Sequence, residues 1–286
     1  MSSKTIAIAG AGRMACALGR LFQRRGYTVS AVASRSRERA STAASSISPT
    51  TAAVGYSDLP RHATHILIAV SDVAIPDVAR MLAVPAMHGG IALHTSGTRG
   101  LGALQALAEA GAHCGSLHPL QTVPDLERGV LALQGAAFAL DGDETALGWA
   151  HELVRAAEGR PLRIAENNRA AYHAAAVMAG NYLITLLDTA AGVFESIGIP
   201  RGQALLALAP LARTSLENAV LDGPERALTG PISRGDVDTM QAHLAVLPPD
   251  VRELYRACGV ATIEVARRQG LPEEAAMALE RVLRQN

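Results

Sequence analysis

The first half of the chain alternates short apolar runs with stretches of helical hydrophobic periodicity. The apolar runs predict strands at Thr5–Ala9, Thr28–Ala33, His65–Val70, Gly90–His94, His113–Leu117, Ala136–Leu140 and Pro161–Ile164. The periodic stretches predict helices at Arg13–Arg25, Arg35–Ser46, Ile75–Met81, Gly100–Ala110 and Glu144–Ala157. Strands joined by helical crossovers of this length are typical of a parallel, doubly wound α/β sheet. The Ser-, Thr- and Ala-rich segment Ser41–Ala53 predicts a helix end and a loop.

The pattern changes near residue 165, after which only helices are predicted. Their expected ranges are Glu166–Ile197, Gly202–Leu221, Asp236–Leu247, Asp250–Gln269 and Pro272–Arg284. Glycine and proline residues at the ends of these ranges provide the stop signals. We therefore predict an α/β domain over residues 1–165 and an all-α domain over residues 166–286.

Composition narrows the classes of function. The chain is 49% hydrophobic but only 3% aromatic, which favours an aliphatic core. Its 26 basic residues equal its 26 acidic residues, so the surface as a whole is not expected to attract nucleic acid or an anionic membrane. No apolar run reaches the roughly 18 residues that a membrane span needs, so no membrane span is expected.

The three cysteines, Cys16, Cys114 and Cys258, are far apart in the sequence. Their spacing does not match a metal site, and we expect free thiols and no bound metal. A strand is predicted almost at the first residue, which leaves no room for a signal peptide. These features together predict a cytoplasmic protein.

A glycine-rich turn follows the first predicted strand. The segment Thr5–Ala15 runs from apolar residues into G-x-G-x-x-A, where Gly10 permits a tight turn and Gly12 lets a pyrophosphate approach the backbone. Arg13 and Met14 then open a helix, whose free N–H groups attract phosphate. Because the motif stands between a strand and a helix, it predicts a dinucleotide-binding Rossmann domain.

The end of the second predicted strand bears on the choice of dinucleotide. NAD-specific domains place an acidic residue there, about 20 residues after the glycines, to bind the ribose 2′-hydroxyl. This chain has Ser34 followed by Arg35, a hydroxyl and a guanidinium that suit a 2′-phosphate. We therefore predict NADP(H). In the alternative interpretation, Ser34 or Ser36 caps a helix and the arginines are solvated, and the two interpretations are compatible.

Further polar residues follow other strands at the same edge of the sheet. Val70, Ser71 and Thr95 are predicted cofactor contacts. Asp72 either contacts the cofactor as well or caps the next helix. Ser96 and His118 are the candidate catalytic residues, because an imidazole there can move the proton that accompanies hydride transfer. The alternative for any one of the nine histidines is a structural role.

Four segments carry a family resemblance: Leu93–Gly97, Gly115–Gln121, Ala174–Tyr182 and Leu228–Asp236. The chain resembles the NADP-dependent branch of the 6-phosphogluconate-dehydrogenase-like superfamily, which includes pyrroline-carboxylate reductase, ketopantoate reductase and prephenate dehydrogenase. It is most similar to bacterial Rossmann-like proteins that have a helical C-terminal domain and no assigned substrate. The resemblance implies that His118 matches the substrate-contacting histidine of prephenate dehydrogenases and that Ser96 matches their strand-end serine. It also implies a homodimer built by the C-terminal helices.

The first helix after residue 165 departs from the better-known members of the superfamily. Dehydrogenases of β-hydroxy acids have a lysine and an asparagine one turn apart there, whereas the segment Tyr172–Tyr182 has no lysine. His173 and Asn181 are the candidate catalytic residues of this apolar helix, since a buried polar side chain needs a partner. The alternative is a structural polar pair.

The loop Thr229–Asp236 replaces the threonine-bearing loop of pyrroline-carboxylate reductase. Arg234 is a candidate clamp for a substrate carboxylate, and Asp236 is a second candidate substrate contact. The alternative is that Ser233 or Asp236 only caps the following helix.

Together these features predict an NADP(H)-dependent oxidoreductase. The expected reaction transfers hydride between nicotinamide and a small carbonyl, imine or alcohol substrate that carries an acid group. One alternative is hydride transfer to a second cofactor, a deazaflavin or flavin. The other is a non-catalytic NADP-binding sensor or scaffold.

Overall fold

The computed structural model describes residues 4–285. These residues form two compact units, the first ending at Gly180 and the second beginning at Asn181. The last strand ends at Arg163, and the domain boundary predicted near residue 165 stays a prediction.

The first unit contains an eight-stranded sheet. Its strands are β1 (Thr5–Ala9), β2 (Thr28–Ala33), β3 (Ala52–Val54), β4 (His65–Ile68), β5 (Ile91–His94), β6 (His113–Pro119), β7 (Ala137–Gly142) and β8 (Arg160–Arg163). Their order is β3-β2-β1-β4-β5-β6-β7-β8, and every neighbouring pair is parallel except β6 and β7. The carboxyl ends of β1, β2, β4, β5 and β6 therefore meet at one edge of the sheet.

Helices cover both faces of this sheet. They are α1 (Arg13–Arg24), α2 (Arg37–Ile47), α3 (Ile75–Leu82), α4 (Gln105–Glu109), α5 (Leu126–Leu133) and α6 (Glu144–Ala156). Apolar side chains of α1, α2, α5 and α6 share one core with one face of the strands, and those of α3 and α4 share a second core with the opposite face. The predicted doubly wound α/β class is confirmed.

Three details of the first unit differ from the prediction. Strand β3 lies in the segment expected to be a loop, because three small residues are too few for an alternating pattern to reveal. Helix α5 was not predicted, and it packs against α1 with Gly129 beside Ala17. Strand β7 is antiparallel to β6, which corrects the all-parallel expectation. A strand added beyond β6 can pair in either direction, and the apolar pattern does not encode which.

The helical stretch predicted from residue 166 is present as α7 (Arg169–Val177), a π-helical turn (Met178–Tyr182) and α8 (Leu183–Ser196). The remaining helices of the second unit are α9 (Arg201–Asp222), α10 (Pro224–Ala227), α11 (Val237–Val246), α12 (Pro249–Gln269) and α13 (Glu273–Arg284). Met240, Ile263 and Leu279 lie at the centre of this unit's core.

The run Glu166–Ser196 is long and apolar enough to cross a membrane, by length and composition alone. The expectation of no membrane span concerned unbroken apolar runs, whereas this segment qualifies by its average hydropathy, a test that the core helix of a soluble protein also passes. Alanines and a few polar side chains are spread through the run, so no uninterrupted block of large apolar residues marks it in the sequence.

Candidate functional site

The glycine turn between β1 and α1 has the geometry of a phosphate cradle. Gly10 has a φ of +136°, and a Cβ built on it would lie 2.1 Å from the carbonyl oxygen of Ala69, so only glycine fits. A Cβ on Gly12 would meet open space. Helix α1 begins after Gly12 with no side-chain cap and no acidic residue in its first turn. Its N–H groups and positive dipole end are thus available to an anion.

A cavity of about 780 Å³ opens in front of this turn. All but one of the predicted cofactor contacts line it: Gly10, Gly12, Arg13, Met14, Ser34, Arg35, Val70 and Ser71. Thr95 is not among the lining residues. Its hydroxyl donates instead to the carbonyl oxygen of Ile68 at 3.5 Å.

A second cavity, of about 570 Å³, shares Ser34 and Arg35 with the first. Arg37 and Arg61 also line it, together with Asp58, whose carboxylate lies 3.5 Å from Arg61 and offsets part of the positive charge. Ser36 caps α2 by accepting from the N–H of Arg39 at 3.2 Å. The cap therefore falls on Ser36, which leaves Ser34 and Arg35 facing both cavities.

A row of polar side chains crosses the sheet where β5, β6 and β7 pair. His94 lies opposite Ser116, and Ser116 lies opposite Asp141, so all three share one face. All three are buried. His118 lies two residues after Ser116 and therefore on the same face.

Helix α7 brings three polar side chains to this row. Tyr172 lies three residues after Arg169 and His173 lies four residues after it, so the side chains of both are on the same side of the helix as that of Arg169. The Tyr172 hydroxyl lies 2.7 Å from His118 Nδ1, and the two rings meet edge to face. The rings of His118 and His173 have centroids 6.2 Å apart. The structure thus brings together the two histidines that were predicted to act on a proton, His118 and His173.

Gly97 lies where these two imidazoles meet. A Cβ built on it would be 2.8 Å from His118 Cε1 and 2.8 Å from His173 Cδ2. The missing side chain leaves room for both rings at the end of β5.

Burial controls the protonation of this cluster. It lowers the pKa of His118 to about 4, and the charges of His173 and Arg169 lower it too, whereas the Asp72 carboxylate raises it. Burial likewise lowers the pKa of His94 to about 4 and raises the pKa of Tyr172 to about 12. At neutral pH His118 is therefore an uncharged imidazole and Tyr172 an intact phenol.

Ser96 lies beside the cluster, in the turn after β5. Its hydroxyl oxygen accepts from the N–H groups of Thr98 at 3.2 Å and Arg99 at 3.0 Å. Thr98 in turn donates to Asp72 at 2.6 Å. Ser96 thus organises the turn that contains Gly97, and Asp72 is fixed next to it.

The other predicted site residues belong to the second unit. Asn181 is exposed on the π-helical turn, and Arg234 is exposed at the end of a short 3₁₀ turn. Asp236 caps α11, accepting from the N–H of Thr239 at 3.0 Å and from its hydroxyl at 2.7 Å. The capping interpretation of Asp236 therefore holds in the structure.

Sequence reasoning missed Ser116, Asp141, Arg169 and Tyr172. Two signals point to them: the i, i+2 spacing of Ser116 and His118 on a strand, and three large polar residues on one face of an alanine-rich helix. The partner of Arg169 was not predictable, because Asp141 lies in a strand whose direction the sequence does not reveal.

The residues present fit a dinucleotide. A cavity of this size suits an extended ligand, and Gly12 leaves the space that a pyrophosphate requires. The hydroxyl and guanidinium groups at the second strand end suit a phosphorylated ribose.

Comparisons with known proteins agree with this architecture. Residues 2–119 match the Rossmann-like domain, and residues 136–262 match DUF2520, a domain of unknown function. The chain thus combines a Rossmann-like domain with a DUF2520 domain. No curated protein matches the sequence.

Solved structures with this fold include proteins named as NADP-linked enzymes. BF3122 from Bacteroides fragilis, named as a candidate NADP oxidoreductase, is 19% identical with a TM-score of 0.67, and the match covers 97% of this chain and 98% of that one. TM1727 from Thermotoga maritima is 22% identical with a TM-score of 0.63, covering 96% and 98%. The 1-pyrroline-5-carboxylate reductase of Streptococcus pyogenes is 17% identical with a TM-score of 0.61, covering 98% and 96%. At these identities the likeness establishes a shared fold, and the predicted resemblance is confirmed at that level.

Proposed function

We propose that the protein is an NADP(H)-dependent oxidoreductase acting on a small carbonyl, imine or alcohol substrate that carries an acid group. The observation that carries the proposal is the position of the His118–Tyr172–His173 cluster. It lies at the strand ends of the same sheet edge at which the glycine turn opens its cavity. Ligands of doubly wound sheets bind at this edge.

The cofactor would be held by the backbone of Gly12 and the N-terminus of α1, with Ser34 and Arg35 on the 2′-phosphate. When bound, its nicotinamide would donate or accept a hydride at C4. The chain's own task is then to hold the substrate and move a proton.

His118 is the proposed proton carrier. With a pKa of about 4 it is uncharged at neutral pH, so during oxidation it accepts the hydroxyl proton of an alcohol substrate. During reduction it first takes up a proton from solvent and then donates it to the substrate. Tyr172 fixes the imidazole through Nδ1, which leaves Nε2 for the exchange. His173 is the alternative carrier, and Ser96 and Asn181 are proposed to orient the substrate or a water.

The reaction is tested by following NADPH oxidation with keto acids and imines, and NADP+ reduction with the matching alcohols and with cyclohexadienyl acids. We expect turnover in one class and at least a 100-fold loss in His118→Ala with NADPH affinity unchanged. Tight NADPH binding with no turnover in any class would favour the sensor or scaffold. Turnover only with a deazaflavin or flavin would favour the second-cofactor alternative.

The cofactor preference has a separate test in the affinities for NADPH and NADH. We expect the parent to prefer NADPH and Arg35→Ala to lose roughly 10-fold or more of that preference, since a charged hydrogen bond contributes about 1.5–3 kcal/mol. Arg24→Ala is the control. It removes an exposed arginine at the far end of α1, about 17 Å along the helix from the glycine turn. Equal affinities in the parent would contradict the proposal.

Arg234 is proposed as the contact for the substrate's acid group, with Asp236 near it on the same loop. Once a substrate is found, Arg234→Ala is expected to raise KM at least 10-fold for the acid and much less for its amide. A parallel rise for both would contradict this role.

We further propose a homodimer formed through the C-terminal helices, in the cytoplasm. Support comes from the large apolar side chains exposed on and beside α8 and α9, among them Ile184, Leu206, Leu216, Val220 and Leu221. The free thiols of Cys16, Cys114 and Cys258 suit a reducing compartment.

A further inference from the structure

Arg169 is a charged residue in the interior of the first unit. Only 3% of it is exposed, and it lies at the first position of α7. Its Nη2 atom donates to the Ser116 hydroxyl and lies 3.5 Å from Asp141 Oδ2. Its Nε has no hydrogen-bond partner among the described residues.

Stability alone does not account for this arginine. Removing a charge from water costs several kcal/mol, and a buried ion pair often recovers no more than an apolar pair of similar volume would provide. The pairing is also incomplete, since one N–H is unsatisfied and the carboxylate contact is long. The positive charge at this place therefore calls for a different explanation.

The surroundings of Arg169 suggest that it holds other residues of the candidate site in place. The strand row beneath it leads from Ser116 to His118, and its own helix leads to Tyr172 and His173, which meet His118. The side chain thus ties the start of α7 to β6 and β7 immediately below the histidine cluster.

The charged and titratable groups that face His118 come from three parts of the first unit. Helix α7 contributes Arg169, Tyr172 and His173, the turn after β4 contributes Asp72, and β5 contributes His94. Among these groups Asp72 favours the protonated imidazole, whereas Arg169 disfavours it in both His118 and His94.

We propose that Arg169 is a positioning residue: its contacts with Ser116 and Asp141 anchor the start of α7, so that Tyr172 and His173 are held against His118. The inference rests on the proposed function for the role of His118 as proton carrier. Its test by titration requires no substrate.

The test is an NMR titration of the histidine rings in protein labelled with ¹⁵N-histidine, with His118 assigned from His118→Gln. Arg169→Met retains the bulk and removes both anchoring contacts, so α7 should loosen over His118 and admit water. The apparent pKa of His118, which burial lowers, should then rise, with about a tenfold gain in proton affinity. Arg169→Lys should restore most of the parent's behaviour. Asp141→Asn leaves the Ser116 contact of Arg169 and an amide oxygen as acceptor, so it should shift the titration less than Arg169→Met does.

Arg163→Met is the matched control. Arg163 also faces Asp141, at 3.9 Å, but its side chain is 60% exposed and lies on strand β8. This variant should leave the titration of His118 within about twofold of the parent. An unchanged titration in Arg169→Met would overturn the proposal, as would a shift of the same size in Arg163→Met.

Enzyme kinetics separate this inference from the proposed function. If a substrate is found, the acidic limb of the pH profile of kcat/KM should move upward in Arg169→Met by the same amount as the NMR titration. If no substrate is turned over, the proposed function fails while the titration still decides the role of Arg169.

Discussion

Gly97 occupies the point at which His118 and His173 both come close to the end of β5, and it offers a test that removes no chemical group. In Gly97→Ala the new Cβ would lie 2.8 Å from an atom of each ring, so at least one imidazole must move. Such a clash costs about 1–3 kcal/mol. We expect turnover to fall roughly 10- to 100-fold with NADPH affinity within about twofold of the parent, measured by steady-state kinetics and fluorescence titration.

Gly102→Ala is the control for this substitution. Gly102 lies in the next turn of the chain, and a Cβ there would meet no atom within 4 Å. It should leave turnover unchanged. Full activity in Gly97→Ala would show that the imidazoles do not need their present separation.

The buried histidines also predict how stability depends on pH. His94 and His118 have pKa values of about 4 in the folded chain, lowered mainly by burial, against roughly 6.5 when unfolded. Between these values the unfolded chain binds more protons, so the free energy of unfolding falls as pH drops from about 6.5 to about 4. Fully buried His94 alone would contribute roughly 3 kcal/mol to that fall.

Urea unfolding at a series of pH values measures this dependence. His94→Gln should unfold with a visibly shallower pH dependence than the parent, whatever its stability at neutral pH. His151→Gln, at an exposed position of α6, should retain the parent's slope. Parallel slopes for the parent and His94→Gln would refute the role of His94.

At the scale of elements, the sequence predicted what depends on local pattern. The bounds of β1 and β2 follow from apolar runs, the turn after β1 from Gly10 and Gly12, and the strand-end position of His118 from the regular βα alternation. These features are encoded within a few residues of one another.

Features that depend on long-range pairing were not predictable. Arg169 and Ser116 are 53 residues apart and meet only because α7 folds back over β6. Asp141 joins them because β7 runs antiparallel to β6, a choice made by tertiary packing rather than by the apolar pattern of the strand. Half of the site was therefore visible in the sequence: His94 and His118 lie at the ends of strands, whereas Arg169, Tyr172 and His173 are brought to them by a helix.

Helix α7 yields its own prediction through Tyr172. In Tyr172→Phe the His118 ring loses the hydroxyl 2.7 Å from Nδ1, so its orientation and tautomer are no longer fixed. We expect kcat to fall about 10-fold with little change in the affinity for NADPH.

The chain contains a matched control for this substitution. In the second unit the Tyr255 hydroxyl lies 2.6 Å from His243 Nδ1, and these rings also meet edge to face. Tyr255→Phe removes the same kind of hydrogen bond and should leave kcat unchanged. Equal losses in both variants would indicate a general effect on folding rather than a role in the site.

At the scale of the whole molecule, exposed apolar side chains of the second unit support the proposed dimer. Leu206 and Leu221 on α9 are each 78% exposed, and Ile184 on α8 is 65% exposed. Large exposed apolar patches are rare in monomeric proteins and mark interaction surfaces. A two-fold dimer covers the same face on both copies, so each buried side chain contributes twice.

We therefore expect the protein to sediment as a dimer at micromolar concentration and Leu206→Glu to dissociate it. Burying a leucine contributes about 1.5–3 kcal/mol, so its loss from both copies should weaken association roughly 100-fold or more. Leu131→Glu is the control, because Leu131 is 68% exposed on α5 of the first unit and should not affect the dimer. A parent that sediments as a monomer would contradict the proposal. If that monomer instead bound lipid vesicles and Leu206→Glu abolished the binding, the apolar face would be assigned to a membrane surface.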